Sequence, residues 1–412
     1  MAQSSSGKHP HLDTGLPSAQ RSGVQARSLR AMNLSLVLKE ALANSDTVTR
    51  AAIAQRTGIT PATVSRLVDE LTASGLVNEL PPIDEGTRGR PANRLTAQGS
   101  TAIALGLEVN VSGLGARMVD LGGTVLAEVT KQGDYADSDP TDTITELARL
   151  AHHLHTQHCT DSTLFIGTGL ALPGLVSHNA LTIAPNLGWR DIPFDQLLEP
   201  MGTLRPTVIA NEADLAAYAV SSPKPGVPSG PASFVFVSGE VGVGAGIIID
   251  HKSMSGAHGW SGEIGHICTD PAGPACSCGA NGCLEAFLGL RALAAHAGLE
   301  RDATITTIIE AATDGSSQAQ HALEQGGIAL GRALAATINL VDLPLVILGG
   351  NLAELEAHIA APALAEMKGR TLQAPWQTPT IEVLPDSTWL AVTGAAHRVF
   401  DALVNNPLDW IE

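Results

Sequence analysis

No run of apolar residues in this 412-residue chain approaches the ~20 that a membrane-spanning helix requires. The stretch Met1 to Arg30 is polar and has no apolar h-region, which excludes a secretory signal. The expected location is therefore the cytoplasm. Cysteine is scarce: five residues, four of them in the stretch Cys268, Cys276, Cys278 and Cys283, with Cys159 alone. In a cytoplasmic chain that clustering argues for metal and against disulfides. Basic residues are also short, 24 Lys and Arg against 41 Asp and Glu, for a net charge of -17. The shortage is uneven. Residues 1–100 carry 11 basic and 8 acidic side chains, and the rest carries 13 and 33. A mildly basic module joined to an acidic body fits a DNA reader fused to an effector domain.

What is present is a globular composition, 44% hydrophobic and rich in Gly and Ala, in a chain long enough for two or three domains. Residues 1–28 are rich in Ser, Gly, Pro and His and read as a flexible tail. Helical spacing begins near Leu29 and ends at Asn44-Ser45-Asp46. A short helix follows from Arg50 to Arg56, broken by Gly58. Thr60 as N-cap and Pro61 at the first helical position open a third helix that stops at Gly75. Leu76 to Leu80 and Arg94 to Thr96 read as two strands of a wing. From Thr101 the pattern changes to α/β. Strands are expected at 102–109 and 164–172, a hairpin around Gly122-Gly123, and a helix near 141–157. A second start of the same kind appears at 233–238 and 246–250. Helices dominate after 284, interrupted by a strand at 345–348. Two strand-rich starts, each followed by helices, predict two similar lobes with a cleft between them.

The tight turn at Gly58 would set two helices steeply and lay the third in a major groove. Thr60, Thr63, Ser65 and Arg66 are the polar groups on its first turns, able to reach phosphates and base edges. Arg50 and Arg56 would meet the DNA backbone. The peptide Arg88-Gly89-Arg90-Pro91 could insert arginines into a minor groove. Each piece has a blander reading, a small helical bundle or a solvated turn. Their order along the chain, three helices then strand then basic wing, favours a winged helix-turn-helix spanning 29–98. The body would then span 99–412.

His266, Cys276, Cys278 and Cys283 follow a spacing of H-x9-C-x-C-x4-C. One imidazole and three thiolates complete a tetrahedral Zn²⁺ shell with no open position, which predicts a structural zinc. Gly279 and Gly282 would let the loop fold around it. Cys268 falls outside the spacing and is expected to be a small buried side chain.

These residues together resemble the ROK family (repressors, open reading frames and sugar kinases). The resemblance rests on Gly262-Glu-Ile-Gly-His266 and Cys276-Ser-Cys-Gly-Ala-Asn-Gly-Cys-Leu-Glu285. It extends through 184–189, 211–214, 242–246, 347–350 and 394–396. With the helix-turn-helix and Gly-Arg-Pro wing, the chain is similar to the family's repressor branch, which includes xylose and N-acetylglucosamine repressors. The resemblance implies an actin-like, two-lobed ATPase-type fold with a zinc loop at 263–285. It also implies a sugar or sugar phosphate effector held by Asn211, Glu212, Glu263, His266 and Glu285. Pro173-Gly174 and Asn186 would lie nearby. Carboxylates, an amide and an imidazole suit hydroxyls, which both donate and accept. Zinc would take one ring nitrogen of His266 and leave the other for the sugar.

Kinases of the family carry Asp-Ile-Gly-Gly-Thr in a first phosphate loop; the corresponding residues here are Glu108-Val109-Asn110-Val111-Ser112. The second loop keeps Gly242, Gly244 and Gly246 but has Glu240-Val241 in place of Gly-Thr. The catalytic Asn-Asp becomes Asn211-Glu212, and a carboxylate displaced by about 1 Å can lose ~10²-fold in rate. Together these departures favour lost ATP chemistry with sugar binding retained. The expected protein is a sugar-responsive repressor, not an enzyme. It would bind duplex DNA as a homodimer or homotetramer, since two half-sites require two readers. A kinase with an appended DNA module and a metal-sensing regulator are the alternatives.

Overall fold

The computed structural model describes residues 18–82, 92–385, 387 and 389–411. Helices α1 (Ser18–Ala43), α2 (Arg50–Thr57) and α3 (Pro61–Ala73) precede a ribbon of β1 (Val77–Leu80) and β2 (Arg94–Ala97), paired antiparallel. Thr49 caps α2 by accepting the N–H of Ala52. Thr60 caps α3 by accepting that of Thr63, and Pro61 opens the helix, as the sequence predicts. The wing tip with Arg88 and Arg90 lies outside the described residues.

One expectation needs correction. Residues from Ser18 onward are helical, so the segment 18–28 belongs to α1 and not to a flexible tail. The sequence of that segment holds Val24 as its one large apolar residue, so it carries no amphipathic period to detect, yet Ala, Gln and Arg favour helix intrinsically.

The body contains one topology twice. In the first lobe are β3 (Ala102–Asn110), β4 (Gly113–Asp120), β5 (Val125–Gln132), α4 (Pro140–His158) and β6 (Leu164–Leu172). They are followed by β7 (Leu175–Val176), β8 (Ala180–Ala184), β9 (Trp189–Pro193), β10 (Val208–Asn211) and α5 (Glu212–Ser221). The five-stranded sheet has the order β10-β6-β3-β4-β5, with β7-β8-β9 as a small separate sheet. In the second lobe are β11 (Phe234–Gly239), β12 (Val243–Ile249), β13 (Lys252–Ser253), α6 (Ser317–Val341) and β14 (Leu345–Gly350). They are followed by α7 (Glu356–Arg370), β15 (Thr380–Val383) and α8 (Leu390–Asn405). Its sheet runs β13-β12-β11-β14-β15. Each sheet pairs its first strand antiparallel to its second and parallel to its fourth in chain order. Strand β3 is buried along its whole length, which explains its nearly unbroken apolar sequence.

Two helices tie the lobes together. α5 leaves the first lobe and packs on β12, while α8 leaves the second and packs on β3 and β6. They cross at Gly394, where a Cβ would collide with the Leu215 carbonyl. Only glycine permits that approach. The far end of α8 continues into the helical module: Ser35 donates to the Val404 carbonyl at 2.7 Å and Lys39 to Asn405 at 2.8 Å. Leu34, Leu38, Val64 and Leu71 share one apolar cluster with Ala102, Val119, Phe400 and Leu403. The two modules therefore have no bare linker between their cores.

Candidate functional site

A cavity of about 230 Å³ lies between the lobes. Asn211, Glu212, Glu263, His266 and Glu285 all line it, with Pro173, Gly174 and Asn186. Each is placed by backbone. Asn211 ends β10, accepts the Ala213 N–H at 2.8 Å and donates to the Gly174 carbonyl at 2.9 Å. Glu212 opens α5 and accepts from Asn110 Nδ2 at 3.2 Å. Glu285 opens the short helix Glu285–Leu288; it accepts the Val243 N–H at 3.1 Å and the Ser277 hydroxyl at 3.2 Å. These bonds fix the carboxylate and amide orientations before any ligand arrives.

The ligand atoms of His266, Cys276, Cys278 and Cys283 lie within 4.8 Å of one another. Cys276 Sγ to His266 Nδ1 and Cys278 Sγ to Cys283 Sγ are each 3.8 Å. Tetrahedral Zn²⁺ with sulfur ligands at about 2.3 Å has S–S edges near ~3.8 Å, so the donor set fits a metal ion. His266 turns Nδ1 to the Cys276 sulfur and leaves Nε2 4.0 Å from Glu263 Oε2, and both residues line the cavity. Gly282 has a left-handed φ of +70°, and a Cβ there would strike the Asp270 carbonyl. Cys268 is exposed, not buried as expected. Its backbone bridges Cys283 and closes the loop, and this leaves the thiol outside the packed interior.

The positions equivalent to the phosphate loops hold carboxylates. Glu108 is only 4% exposed, and burial, then the charge of Glu240, push its pKa to about 8. Burial also raises Glu240. Burial, followed by the charges of Glu240, Glu108 and Glu263, holds Glu212 well above the ordinary carboxylate range. A carboxyl so placed holds its proton more tightly than a solvated one. Because the folded Glu108 carboxyl titrates near 8 and the unfolded one near ~4.5, the fold is favoured below the lower value. That contribution is lost as the pH rises through the upper one. Glu108→Gln should therefore gain stability relative to the parent between pH 5 and 9, by a few kcal/mol to order of magnitude. Thermal melts across that range would show a widening gap; parallel melting curves would contradict it.

On the helical module, Arg66 is exposed on α3, and Thr60, Thr63 and Ser65 occupy its first turns. Thr60 and Thr63 hydroxyls bond to each other at 2.9 Å. Arg50, expected to meet the DNA backbone, lies beneath α3. Its guanidinium is engaged by Glu79, by Asp69 at 2.7 Å and by the Ser65 carbonyl at 2.8 Å. It braces α3 against β1. The sequence reading also missed Asn110, which bonds Glu212, and Ser277 and Val243, which hold Glu285. Long-range pairing of this kind leaves no spacing signal in sequence.

Comparison with known proteins gives matches over both modules. The model of the ROK family matches residues 105–398, and that of the MarR family matches residues 40–86. The chain is 28% identical over 385 residues to the xylose repressor of Bacillus subtilis, covering 93% of this chain and 97% of that protein. A ROK family transcriptional regulator, homolog of the E. coli MLC protein, superposes with a TM-score of 0.73 at 22% identity. That match covers 91% of this chain and 98% of the other. A ROK hexokinase from Thermus thermophilus superposes at 0.59 and 24% identity, covering 73% of this chain and 99% of its own. The fold is thus a MarR-like winged helix-turn-helix followed by a two-lobed, actin-like ROK body.

Proposed function

The chain belongs to the ROK family, and on that premise we propose that it is a sugar-responsive DNA-binding repressor that has given up kinase chemistry. The observation that carries this reading is a MarR-like reader sharing one apolar core with the base of a body whose cleft gathers five hydroxyl-reading side chains. The relatives aligned over nearly the whole chain are named as xylose repressors, which favours a monosaccharide effector and genes of carbohydrate metabolism as targets. A DNA target places the protein in the cytoplasm.

The ion assigned to the four-ligand cluster is zinc, and its role is structural because four protein ligands leave no open position. It holds His266 by Nδ1 so that Nε2 can meet a sugar hydroxyl. Coupling to DNA runs along α8. That helix starts at the cleft, where Leu390 and Ala391 line a narrow cavity beside Glu212, and ends against α1 at Ser35. A sugar that favours one lobe arrangement would move α8 and so re-space two readers in a dimer or tetramer.

Loss of phosphoryl transfer follows from the carboxyl groups at these positions. Glu108 and Glu240 occupy the space where a triphosphate would approach, and burial and neighbouring carboxylates raise the pKa of Glu212 where the kinases place their base. The test uses full-length protein with a monosaccharide panel, with and without ATP and Mg²⁺. One sugar should raise the melting temperature, since binding at 100 times Kd stabilises by about 2.7 kcal/mol. Asn211→Ala should abolish that shift, and no sugar phosphate should form. Turnover at ordinary kinase rates, above about 1 s⁻¹, would overturn the reading in favour of a kinase.

A further inference from the structure

Next to the sugar pocket lies a second, larger cavity of about 590 Å³, formed where β3 and the β11–β12 turn face the segment after β14 and the residues before α8. Glu240 lines both cavities. The second is acidic: Glu108, Glu240 and Glu354 line it, and none of its described lining residues is Lys, Arg or His. Glu108 sits in its wall, 4% exposed, with Oε2 lacking any hydrogen-bond partner. A buried carboxyl oxygen without a partner is costly, and an ammonium group beside it would favour the ionised form and supply the missing charge-assisted bond.

The lining beside Glu108 is aromatic, because Gly115, which Trp389 covers, is the cross-strand partner of Glu108. Trp389 lines the same cavity and lies against β4 at Gly113 and Gly115, where side chains would meet its ring. Its φ is +57°, a left-handed conformation that is strained for a bulky residue and persists where surroundings enforce it. An indole face beside carboxylates is the arrangement that recognises ammonium groups.

The cation must be extended. Among the described residues, only the His266 and cysteine cluster brings three or more ligand atoms close enough to share a metal ion. Glu108, Glu240 and Glu354 do not converge in that way. A nucleotide is opposed by all three. We propose that this chamber, in place of a nucleotide, binds an aliphatic polyamine, with Glu108 and Glu354 taking separate ammonium groups and Trp389 flanking the chain. Because Trp389 immediately precedes α8, the bound polyamine would sit at the start of the helix that reaches the DNA module.

The test is calorimetric titration of full-length protein with spermidine at pH 8 and moderate salt. The expected result is saturable binding of one spermidine per chain with a Kd below about 1 mM. Glu108→Gln should weaken it at least tenfold, as expected for losing a buried charge-assisted bond. Glu354→Gln, at the exposed rim, should weaken it about two- to fivefold, and this second variant keeps the test open if the first fails to fold. Mg²⁺ alone and ATP with Mg²⁺ should give no saturable heat. Unsaturable binding, or equal affinity in the folded variants, would reduce the effect to general attraction by an acidic protein and overturn the proposal. Saturable Mg²⁺ binding lost in Glu108→Gln would also overturn it, by making the chamber a metal site.

Discussion

Serine at Cys276 and Cys278 together is expected to abolish binding of the proposed zinc and to weaken monosaccharide binding by at least about 100-fold, because even the outer partners of metal ligands are worth 10–100-fold. The reason is that the metal loop and the sugar pocket share side chains. His266 turns Nδ1 to the Cys276 sulfur and Nε2 toward Glu263, and it lines the cavity. Cys278 lines the cavity itself. Glu285 lies two residues beyond Cys283, and its Oε1 takes the hydroxyl of Ser277, between two ligands. Without an ion, three thiols and an imidazole within 4.8 Å of one another lose their common partner and the loop 266–283 loosens. The helical module is remote from this loop, so DNA affinity without sugar should stay within a few-fold. Metal analysis, sugar calorimetry and DNA titration on the same preparation separate these effects. Unchanged sugar affinity in metal-free protein would refute the coupling.

Arg66→Ala combined with Thr63→Ala is expected to lower specific DNA affinity about 100-fold while leaving the melting temperature within a degree or two. A contact to a base edge contributes roughly 1–3 kcal/mol. Arg66 is exposed on α3 and outside the core of the module, so the fold does not need it. Arg50→Ala should behave differently. Its guanidinium joins Glu79, Asp69 and the Ser65 carbonyl, so stability and DNA affinity should fall together. Deleting residues 1–98 is a poor substitute for these variants, because it would strip the cover from Ala102, Val119 and Phe400 and expose core to water. Gel-shift titrations paired with thermal melts would distinguish the two arginines. Full DNA binding by the Arg66 and Thr63 variant would place the reading surface elsewhere.

Much of this architecture was legible in local signals. Thr60-Pro61 marked the start of α3 because capping is a property of a few adjacent residues. The metal cluster was legible because three of its ligands lie within eight residues. Duplication of the lobes showed in two strand-rich starts. What escaped detection depended on distance in sequence or on faint local patterns. The small sheet β7-β8-β9 consists of short pieces interrupted by Pro185 and Pro193, and β15 is a four-residue edge strand with little burial. The polar start of α1 had no period to reveal it. Asn110 bonds Glu212, 102 positions away, and the exposed thiol of Cys268 follows from a backbone bridge that spacing alone does not show. The glutamates at 108 and 240 were visible as departures from a phosphate loop. Their gathering into one acidic chamber beside Trp389 needed the fold.

The central claim is that one cleft reads a sugar and reports it to DNA. The direct measurement is the affinity of the full-length protein for a duplex that it selects from a random pool, taken with and without each monosaccharide of a panel. At least one sugar should change that affinity by fivefold or more, the scale of an ordinary allosteric coupling, and Asn211→Ala should remove the change while keeping the sugar-free affinity. Tight DNA binding that no sugar alters, in a protein whose cleft binds sugar, would contradict the account.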